Sequence, residues 1–278
     1  MRGVTLVMGI VNVTPDSFSD GGSYLEADAA IAHGRDLLAA GADLVDIGGE
    51  STRPGAAAVG ADEEIARVTP VIEALAGEGA TVSVDTSKAA VAEAALSAGA
   101  GIVNDVTALG DPEMAAVCAA RGPGLILMHM KGTPRTMQDN PVYEDVVAEV
   151  REYLAGRLRL AVDAGIDEQG VWLDPGIGFG KTVEHNLELI ARLGELADLG
   201  RPIVIGASRK NFIGAITGRE VGDRLGGSIA TNVLGLANGA DVLRVHDVAE
   251  TIQAVRVAER IIGPGAGAAP AQSAGAGS

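Results

Sequence analysis

The chain has 278 residues, with 37 acidic and 21 basic side chains, a formal charge of −16 and only 3% aromatic residues. The acidic balance argues against nucleic-acid or anionic-membrane partners, because no general positive field attracts a polyanion. The 47% hydrophobic content excludes a disordered chain, and no apolar run approaches the ~18 residues of a membrane span. The single cysteine, Cys118, excludes a disulfide framework. Together with the lack of a signal-peptide pattern, it predicts a cytoplasmic protein.

Eight short runs rich in Val and Ile recur along the chain, and each is continuous, as expected for strands that are buried on both faces. Stretches rich in Ala, Leu and Glu lie between them, and several end in a Gly that can supply a left-handed cap. The predicted strands are Leu6–Val11, Leu44–Ile47, Thr81–Val84, Gly101–Val103, Leu125–Met128, Val171–Leu173, Ile203–Ile205 and Val242–Val245. The clearest predicted helices are Ala27–Ala40, Glu63–Leu75, Lys88–Ala98 and Val142–Ala164.

Strands that alternate with helices predict parallel pairing and right-handed crossovers. Eight such units favour a single (β/α)8 TIM barrel, with its active site at the C-terminal ends of the strands. The alternative, an open doubly wound sheet, normally carries a Gly-x-Gly-x-x-Gly turn after its first strand, whereas this turn reads Asn-Val-Thr-Pro-Asp. We expect one domain over residues 1–262 and a disordered Gly/Ala-rich tail over residues 263–278.

A polar or charged residue follows every predicted strand, where a barrel gathers its functional loops. Helix capping explains an Asp or Asn at any single position, but it does not explain Lys or Arg. Asp85, Asn104 and Asp174 come from three strands, and carboxylates suit a flat heterocycle rich in amino and N–H donors. Lys210 and Arg244 are placed to flank that ring. The open alternative is an acid–base network that only balances buried charge.

A second group follows strands 1, 2 and 8, which become neighbours when the barrel closes, and its residue types suit phosphate oxygens and a divalent metal. An Asn oxygen is a hard ligand that suits Mg²⁺, which takes few protein ligands. Zinc is disfavoured, because the chain has neither Cys ligands nor a His-x-x-x-His pair. The group is Asn12, Thr52, Arg53, Arg244 and His246.

Two of the three phenylalanines, Phe18 and Phe179, lie in Gly-rich loops after strands and predict stacking surfaces for planar ligands. For Phe179 the alternative is that the ring holds its own loop against the barrel rim. The loops at 14–23 and 48–60 are rich in Gly, Ser and Pro, which is typical of mobile covers over a loaded site.

The longest of these segments resemble the signatures of the dihydropteroate synthase family of pterin-binding enzymes, and the resemblance spans residues 4–262. It implies condensation of (7,8-dihydropterin-6-yl)methyl diphosphate with 4-aminobenzoate to 7,8-dihydropteroate, with release of diphosphate, in folate biosynthesis. It also implies Mg²⁺ as the cofactor, competition by sulfonamides and a homodimer. The matching segments are NVTPDSFSDGG at 12–22, GGESTRPG at 48–55, VDT at 84–86, NDV at 104–106, LMHM at 127–130, DPGIGFGK at 174–181, GASRK at 206–210 and RVHD at 244–247.

The resemblance also implies a role for individual residues. The implied pterin-binding residues are Asp85, Asn104, Met128, Asp174, Phe179, Gly206, Lys210 and Arg244. The implied diphosphate-binding residues are Asn12, Thr52, Arg53, Arg244 and His246, of which Asn12 also binds Mg²⁺. The 4-aminobenzoate pocket is implied to comprise Phe18, Thr52, Pro54, Ser208 and Lys210. The implied catalytic residues are Asp16, Asp85, Asp174, Lys210 and Arg244.

Three other functions stay open at this point. A corrinoid-type methyltransferase domain shares the barrel and the pterin site but lacks the first two loop signatures. A non-catalytic pterin-binding paralogue would show damaged motifs. A phosphate-binding barrel isomerase would not need the three acceptor residues. The basic residues that follow the predicted strands also predict a locally positive barrel mouth. These residues are Arg53, Lys181, Arg209, Lys210 and Arg244.

Overall fold

The computed structural model describes residues 5–14, 23–51, 56 and 58–263, with the backbone alone for residues 23–25. Much of the two predicted loop covers, at 15–22, 52–55 and 57, lies outside the described residues, as do residues 264–278 of the predicted tail. The expectations for those segments therefore stay predictions.

Eight parallel strands form one sheet, and its two edges close into a barrel. The order is β6-β5-β4-β3-β2-β1-β8-β7, and a parallel bridge between Leu173 and Ile203 joins β6 to the start of β7. The predicted (β/α)8 barrel is confirmed, and the open sheet is excluded. The strands are β1 Leu6–Asn12, β2 Leu44–Gly48, β3 Val82–Asp85, β4 Ile102–Asp105, β5 Gly124–Met128, β6 Val171–Asp174, β7 Val204–Ile205 and β8 Val242–Val245.

Helices follow the strands, but β6 and β7 are each followed by two rather than by the single helix expected. The helices are α1 Ser23–Ala39, α2 Ala61–Gly77, α3 Ala89–Ser97, α4 Met114–Arg121, α5 Val146–Asp163, α6 Val183–Ala191, α7 Gly194–Ala197, α8 Asn211–Thr217, α9 Leu225–Asn238 and α10 Val248–Ile262. Helix α5 begins later than predicted because the Asp145 side chain accepts hydrogen bonds from the backbone N–H groups of Val147 and Ala148 and caps it. Among the described residues, no helix combines the length and apolarity that crossing a bilayer requires.

The two faces of the strands bury two different apolar clusters. One set of alternate residues, such as Val45 and Val103, packs against the helices. The other set forms a smaller cluster of Met8, Leu44, Ile102, Ile126, Val204 and Val242, which fills the floor of the barrel. Because successive side chains alternate between faces, the residues two places further along these strands lie above that floor. Those residues include Asp46, Asn104 and Arg244, so the barrel interior changes from apolar to charged toward the C-terminal ends of the strands.

Candidate active site at the barrel mouth

Strand register brings residues that are distant in sequence into one row across the mouth of the barrel. Asn12 pairs with Gly48, Gly48 pairs with Asp85, and Asp85 pairs with Asn104 across β1 to β4. On the other side of the barrel, Asp174 pairs with Met128. The three acceptors predicted to bind a heterocycle therefore lie at or next to the C-terminal ends of β3, β4 and β6, with Asp85 and Asn104 side by side and Asp174 further round the barrel.

Arg244 is held by two carboxylates. Its Nε donates to Asp46 Oδ2 over 2.6 Å, and its Nη2 donates to Asp85 Oδ2 over 2.7 Å. The same oxygen of Asp46 also accepts a hydrogen bond from Asn104 Nδ2 at 2.9 Å. Burial lowers the pKa of Arg244, but the two carboxylates outweigh it and hold the pKa above its ordinary value. Arg244 is therefore a permanently charged group with a defined orientation.

The two predicted pterin carboxylates are both hard to ionise in the protein without substrate. Burial raises the pKa of Asp85 to about 7, and Arg244 opposes that rise. Burial also raises the pKa of Asp174, against the influence of Lys210 and of a 2.6 Å hydrogen bond from the N–H of Gly176. Donors on a bound ring would favour the charged forms of both groups, because hydrogen bonds to a carboxylate lower its pKa.

Lys210 lies beside Asp174 and against the ring of Phe179. Its Nζ lies 4.3 Å from the centre of that ring and donates to the backbone oxygen of Ile177. Burial lowers the pKa of Lys210 to about 7, with Asp174 opposing the shift. Phe179 is half-buried, and its contact with Lys210 places one face of the ring against a cation. The contact with Lys210 therefore holds the loop at Phe179, and the role of the ring as a stacking surface stays a prediction.

The loop after β6, residues 175–181, packs closely against the loop after β5. A Cβ atom at Gly176 would lie 1.9 Å from the carbonyl oxygen of His129, and Gly176 has φ 66°. Lys181 is buried; its Nζ lies 2.9 Å from His129 Nδ1 and donates to the Phe179 carbonyl. Burial lowers the pKa of Lys181 far below its ordinary value. Lys181 therefore joins two loops and is buried rather than exposed at the mouth, although it still lies close enough to Asp174 to oppose the rise in that residue's pKa.

The turn after β7 carries Ser208, and the backbone of the next residue, Arg209, is in the left-handed region. Arg209 has φ 59°, its N–H donates to Ser228 Oγ, and its guanidinium forms a salt bridge with Asp247. A non-glycine residue in this region persists only when its surroundings hold it. Ser208 Oγ accepts from the backbone N–H of His246 at 3.3 Å and lies 3.0 Å from His246 Nδ1. The turn thus joins the loop after β7 to the end of β8.

Comparisons with known proteins agree with this geometry. The family model described as pterin binding enzyme matches residues 8–246. The dihydropteroate synthase of Escherichia coli (strain K12) is 46% identical over 254 residues, which cover 91% of this chain and 90% of that protein. The chain belongs to the dihydropteroate synthase family.

Two solved structures of the dihydropteroate synthase from Xanthomonas albilineans are also similar. The structure with 4-aminobenzoic acid has a TM-score of 0.88 at 50% identity and covers 93% of each chain. The structure with 7,8-dihydropteroate has a TM-score of 0.85 at 47% identity and covers 93% of this chain and 94% of that one.

The residues that the dihydropteroate synthase resemblance implied fall into three groups. The first group lies at the barrel mouth around Arg244: Asp85, Asn104, Met128, Asp174, Phe179, Gly206 and Lys210. A Cβ at Gly206 would lie 3.9 Å from the Cβ and from the Cδ of Arg244, so this glycine lies beside the Arg244 side chain. A second group, Asn12, Ser208 and His246, lies at the ends of β1, β7 and β8. The third group lies outside the described residues, and its implied roles stay predictions: Asp16, Phe18, Thr52, Arg53 and Pro54.

The structure is compatible with a magnesium ion at Asn12 whose coordination is completed by substrate oxygens. Among the described residues, no cluster of three His, Cys, Asp or Glu side chains could hold a metal ion. Mg²⁺, however, is often bound by one or two protein oxygens together with phosphate oxygens and water. A Cβ at Gly48 would lie 3.9 Å from Asn12 Oδ1 and 3.8 Å from Asp85 Oδ2. The missing side chain of Gly48 therefore leaves space between these two oxygens.

Two groups at the site were not predicted from the sequence. Asp46 lies within the predicted second strand, which gave no indication of a role, yet it bonds to both Asn104 and Arg244. Lys88 was placed in a helix, yet its Nζ bridges Glu50 at 2.6 Å and the fully buried Glu64 at 2.5 Å. Glu50 in turn accepts from the N–H of Val59 at 2.9 Å. This network anchors both ends of the loop after β2, and its only sequence signal was the Glu of the second signature.

Proposed function

We propose that this chain condenses (7,8-dihydropterin-6-yl)methyl diphosphate with 4-aminobenzoate to give 7,8-dihydropteroate and diphosphate. The observation that carries the proposal is the assembly of Asp85, Asn104 and Asp174 around Arg244 and Lys210 at the barrel mouth. The similar enzyme from Xanthomonas albilineans has been solved with 4-aminobenzoic acid and with 7,8-dihydropteroate. An alkyl transfer between these two small molecules is the activity that this site and this family share.

The pterin ring matches the acceptors of the site. Asp85 and Asp174 accept hydrogen bonds from the ring's amino and N–H groups, since an ionised carboxylate is an acceptor only. Lys210 donates to the ring carbonyl. The ring stacks between Arg244 and Phe179, because planar guanidinium and aromatic groups both pack on flat ligands. Met128 and the uncovered backbone of Gly206 complete the walls.

The chemistry requires stabilisation of opposite charges at two ends of the breaking C–O bond. Negative charge grows on the leaving diphosphate, where Arg244, His246 and the predicted Arg53 neutralise it. Mg²⁺ held by Asn12 would supply Lewis-acid neutralisation of this negative charge. Positive charge grows on the pterin methylene and delocalises into the ring, where Asp85 and Asp174 stabilise it. Dissociation of the diphosphate therefore precedes attack by the amine. No strong base is needed, since an aniline nitrogen is neutral at pH 7.

The other three readings explain less of the chain. The 46% identity to a dihydropteroate synthase spans 91% of the residues, which a methyltransferase domain or a phosphate-binding isomerase would not explain. Only an assay of turnover distinguishes the proposed enzyme from a non-catalytic paralogue. A homodimer and a cytoplasmic location remain part of the proposal; the free, buried Cys118 agrees with a reducing compartment.

The proposal is tested by incubating the protein with the pterin diphosphate, Mg²⁺ and 4-aminobenzoate and measuring dihydropteroate and diphosphate. We expect both products in equal amounts. We expect Asp174→Asn to lower turnover at least ~100-fold, on the scale of losing a key electrostatic group. Asp163→Asn makes the same chemical change at the exposed end of α5 and should retain full activity.

Near-wild-type turnover in Asp174→Asn would contradict the role of that residue. A wild-type protein that binds the pterin diphosphate without forming product would favour the non-catalytic paralogue over the enzyme.

A further inference from the structure

Asp46 lies on β2 at the base of the site and does not belong to the predicted ligand-binding set. Its side chain is fully buried. One of its oxygens, Oδ2, accepts from Asn104 Nδ2 on β4 at 2.9 Å and from Arg244 Nε on β8 at 2.6 Å. A single carboxylate oxygen therefore holds two pterin-binding residues that come from different strands.

The contact with Asp46 decides which way the Asn104 amide faces. An amide side chain has a donor end and an acceptor end, whereas an ionised carboxylate only accepts. The NH2 group of Asn104 must therefore lie against Asp46. Within the described part of the chain no hydrogen bond engages Asn104 Oδ1, although the residue is only 5% exposed. This oxygen is left to accept from a ligand.

The same contact orients Arg244. Its guanidinium is a planar group with donors in a rigid arrangement, and Asp46 and Asp85 each hold one donor of that group. Two anchors determine the plane of the group, and therefore the direction of the face that stacks on a flat ring.

Folding alone gives little reason for a carboxylate at this position. Asp46 Oδ1 is buried and accepts no hydrogen bond from the described residues. A buried charged group costs more to desolvate than a neutral one, and an apolar replacement of a buried ion pair is often neutral or stabilising. Asp46 does offset the charge of Arg244, but stability alone does not require this buried pair.

We propose that Asp46 is a positioning residue that sets the hydrogen-bonding pattern of the pterin pocket. It holds the Asn104 amide so that its oxygen accepts from the exocyclic amino edge of the ring, and it holds Arg244 in the stacking plane. The pocket therefore selects a 2-amino pterin over a ring without that amino group. The inference rests on the proposed function for the identity of the ring.

The test compares Asp46→Asn with a control on the neighbouring strand. Asn at position 46 can donate to Asn104 Oδ1, so the Asn104 amide can rotate and offer its NH2 group to the ligand. We expect the ratio of affinities for 6-hydroxymethylpterin and its 2-deamino counterpart, measured by calorimetry, to fall at least ~10-fold, and KM for the pterin diphosphate to rise. Ser83→Ala removes a buried hydroxyl from the residue paired with Asp46, and this control should change the ratio less than ~2-fold.

A second comparison shows whether Asp46 acts through Asn104. In an Asn104→Ala background, we expect Asp46→Asn to change the affinity ratio less than ~2-fold, because the amide that it orients is gone. An equal effect in both backgrounds would overturn the inference. So would an unchanged ratio in folded Asp46→Asn, since that result would leave Asp46 a structural residue.

Asp46→Ser, a smaller replacement, supplies the same readout if the Asn variant does not fold. Ring binding is measured without 4-aminobenzoate, so a wild-type protein that binds the ring selectively but makes no product would contradict the proposed function alone.

Discussion

Two ionisable side chains at the site have pKa values shifted toward each other. Burial raises the pKa of Asp85 to about 7 and lowers the pKa of Lys210 to about 7. In the proposed complex each group binds the ring in its charged form, Asp85 as an acceptor and Lys210 as a charged donor. Small changes of pH therefore alter the binding-competent fraction of the free enzyme.

The pH dependence of kcat/KM for the pterin substrate follows from these shifts, because this parameter reports the ionisations of the free enzyme. As pH rises through about 7, Asp85 gains its charge while Lys210 loses its own. We expect a narrow bell-shaped profile with both limbs near pH 7. In Lys210→Arg the guanidinium stays protonated, so the alkaline limb should disappear even if the maximum rate falls.

Lys131→Arg is the matched control for this profile. Lys131 is a half-exposed cation that stacks on Tyr143, and both limbs should persist when it is replaced. An alkaline limb that survives in Lys210→Arg would assign that limb to another group.

The chemistry of single residues was predictable wherever residue type and position after a strand sufficed. Asp85, Asn104 and Asp174 directly follow the predicted strands, and the structure places them at or next to the ends of β3, β4 and β6. Asp46 and Lys181 were not predictable, because their roles depend on burial and on partners from other strands. Asp46 lies two residues before the end of β2, and only the register and the inward direction of its side chain place it under Asn104.

At the scale of elements, the close packing of the loops after β5 and β6 holds Asp174 in place. The carbonyl of His129 occupies the space where a Cβ of Gly176 would lie, at 1.9 Å, and the N–H of Gly176 donates to Asp174. The N–H of His129 also donates to the Asp174 carbonyl at 2.9 Å. A side chain at position 176 would therefore separate the two loops and displace the carboxylate of Asp174.

Gly176→Ala tests this packing against Gly122→Ala. Both glycines have φ 66°, so both substitutions carry the same left-handed penalty of about 1 kcal/mol. No atom of the described residues lies within 4 Å of a Cβ at Gly122. We expect both variants to lose a similar increment of stability from backbone strain, with a further loss in Gly176→Ala and at least a ~10-fold fall in kcat/KM there only. Thermal unfolding measures the loss of stability, and steady-state kinetics measures kcat/KM. Equal values of kcat/KM in the two variants would contradict the proposed role of the loop packing.

The elements themselves were predictable because continuous apolar runs and Gly caps are local signals. All eight strands were predicted, and the capping glycines Gly41, Gly99 and Gly239 have positive φ as expected. Boundaries depended on side chains that the pattern does not reveal, such as the Asp145 cap of α5. The extra helices after β6 and β7 were missed because α7 and α8 are short and their patterns merge with the neighbouring segments.

At the scale of the whole molecule, charge is distributed differently from the expectation of a positive mouth. Lys181 is buried against His129, and Arg209 is paired with Asp247. The described cations that remain, Lys210 and Arg244, lie among Asp46, Asp85 and Asp174. Arg244 therefore shares its charge between these carboxylates and the diphosphate in our proposal, which calls for a further cation there. In our proposal Arg53 supplies this further charge, and His246 contributes a hydrogen bond to the diphosphate.

The outer surface of the barrel is uneven in its apolar exposure. Many of the large apolar side chains that are exposed among the described residues lie on or between α8, α9 and α10, including Ile216, Val221, Leu234, Val257 and Ile261. Val257 and Ile261 are 61% and 67% exposed, so these side chains do not pack on the barrel. Contiguous exposed apolar side chains are typical of protein interfaces, and we propose that this face, α8 to α10, forms the homodimer.

We predict that Val257→Glu shifts the protein from dimer to monomer in sedimentation velocity at micromolar concentration. A twofold interface repeats each contact, so the substitution places a charge twice in an interface whose core is depleted of charge. Val142→Glu changes a residue of similar exposure, 63%, in the segment before α5, and it should remain dimeric. Each protomer's described ring-binding residues come from its own barrel, so monomeric Val257→Glu should still bind the pterin. A monomeric wild type, or dimers in both variants, would exclude the α8 to α10 face as the interface.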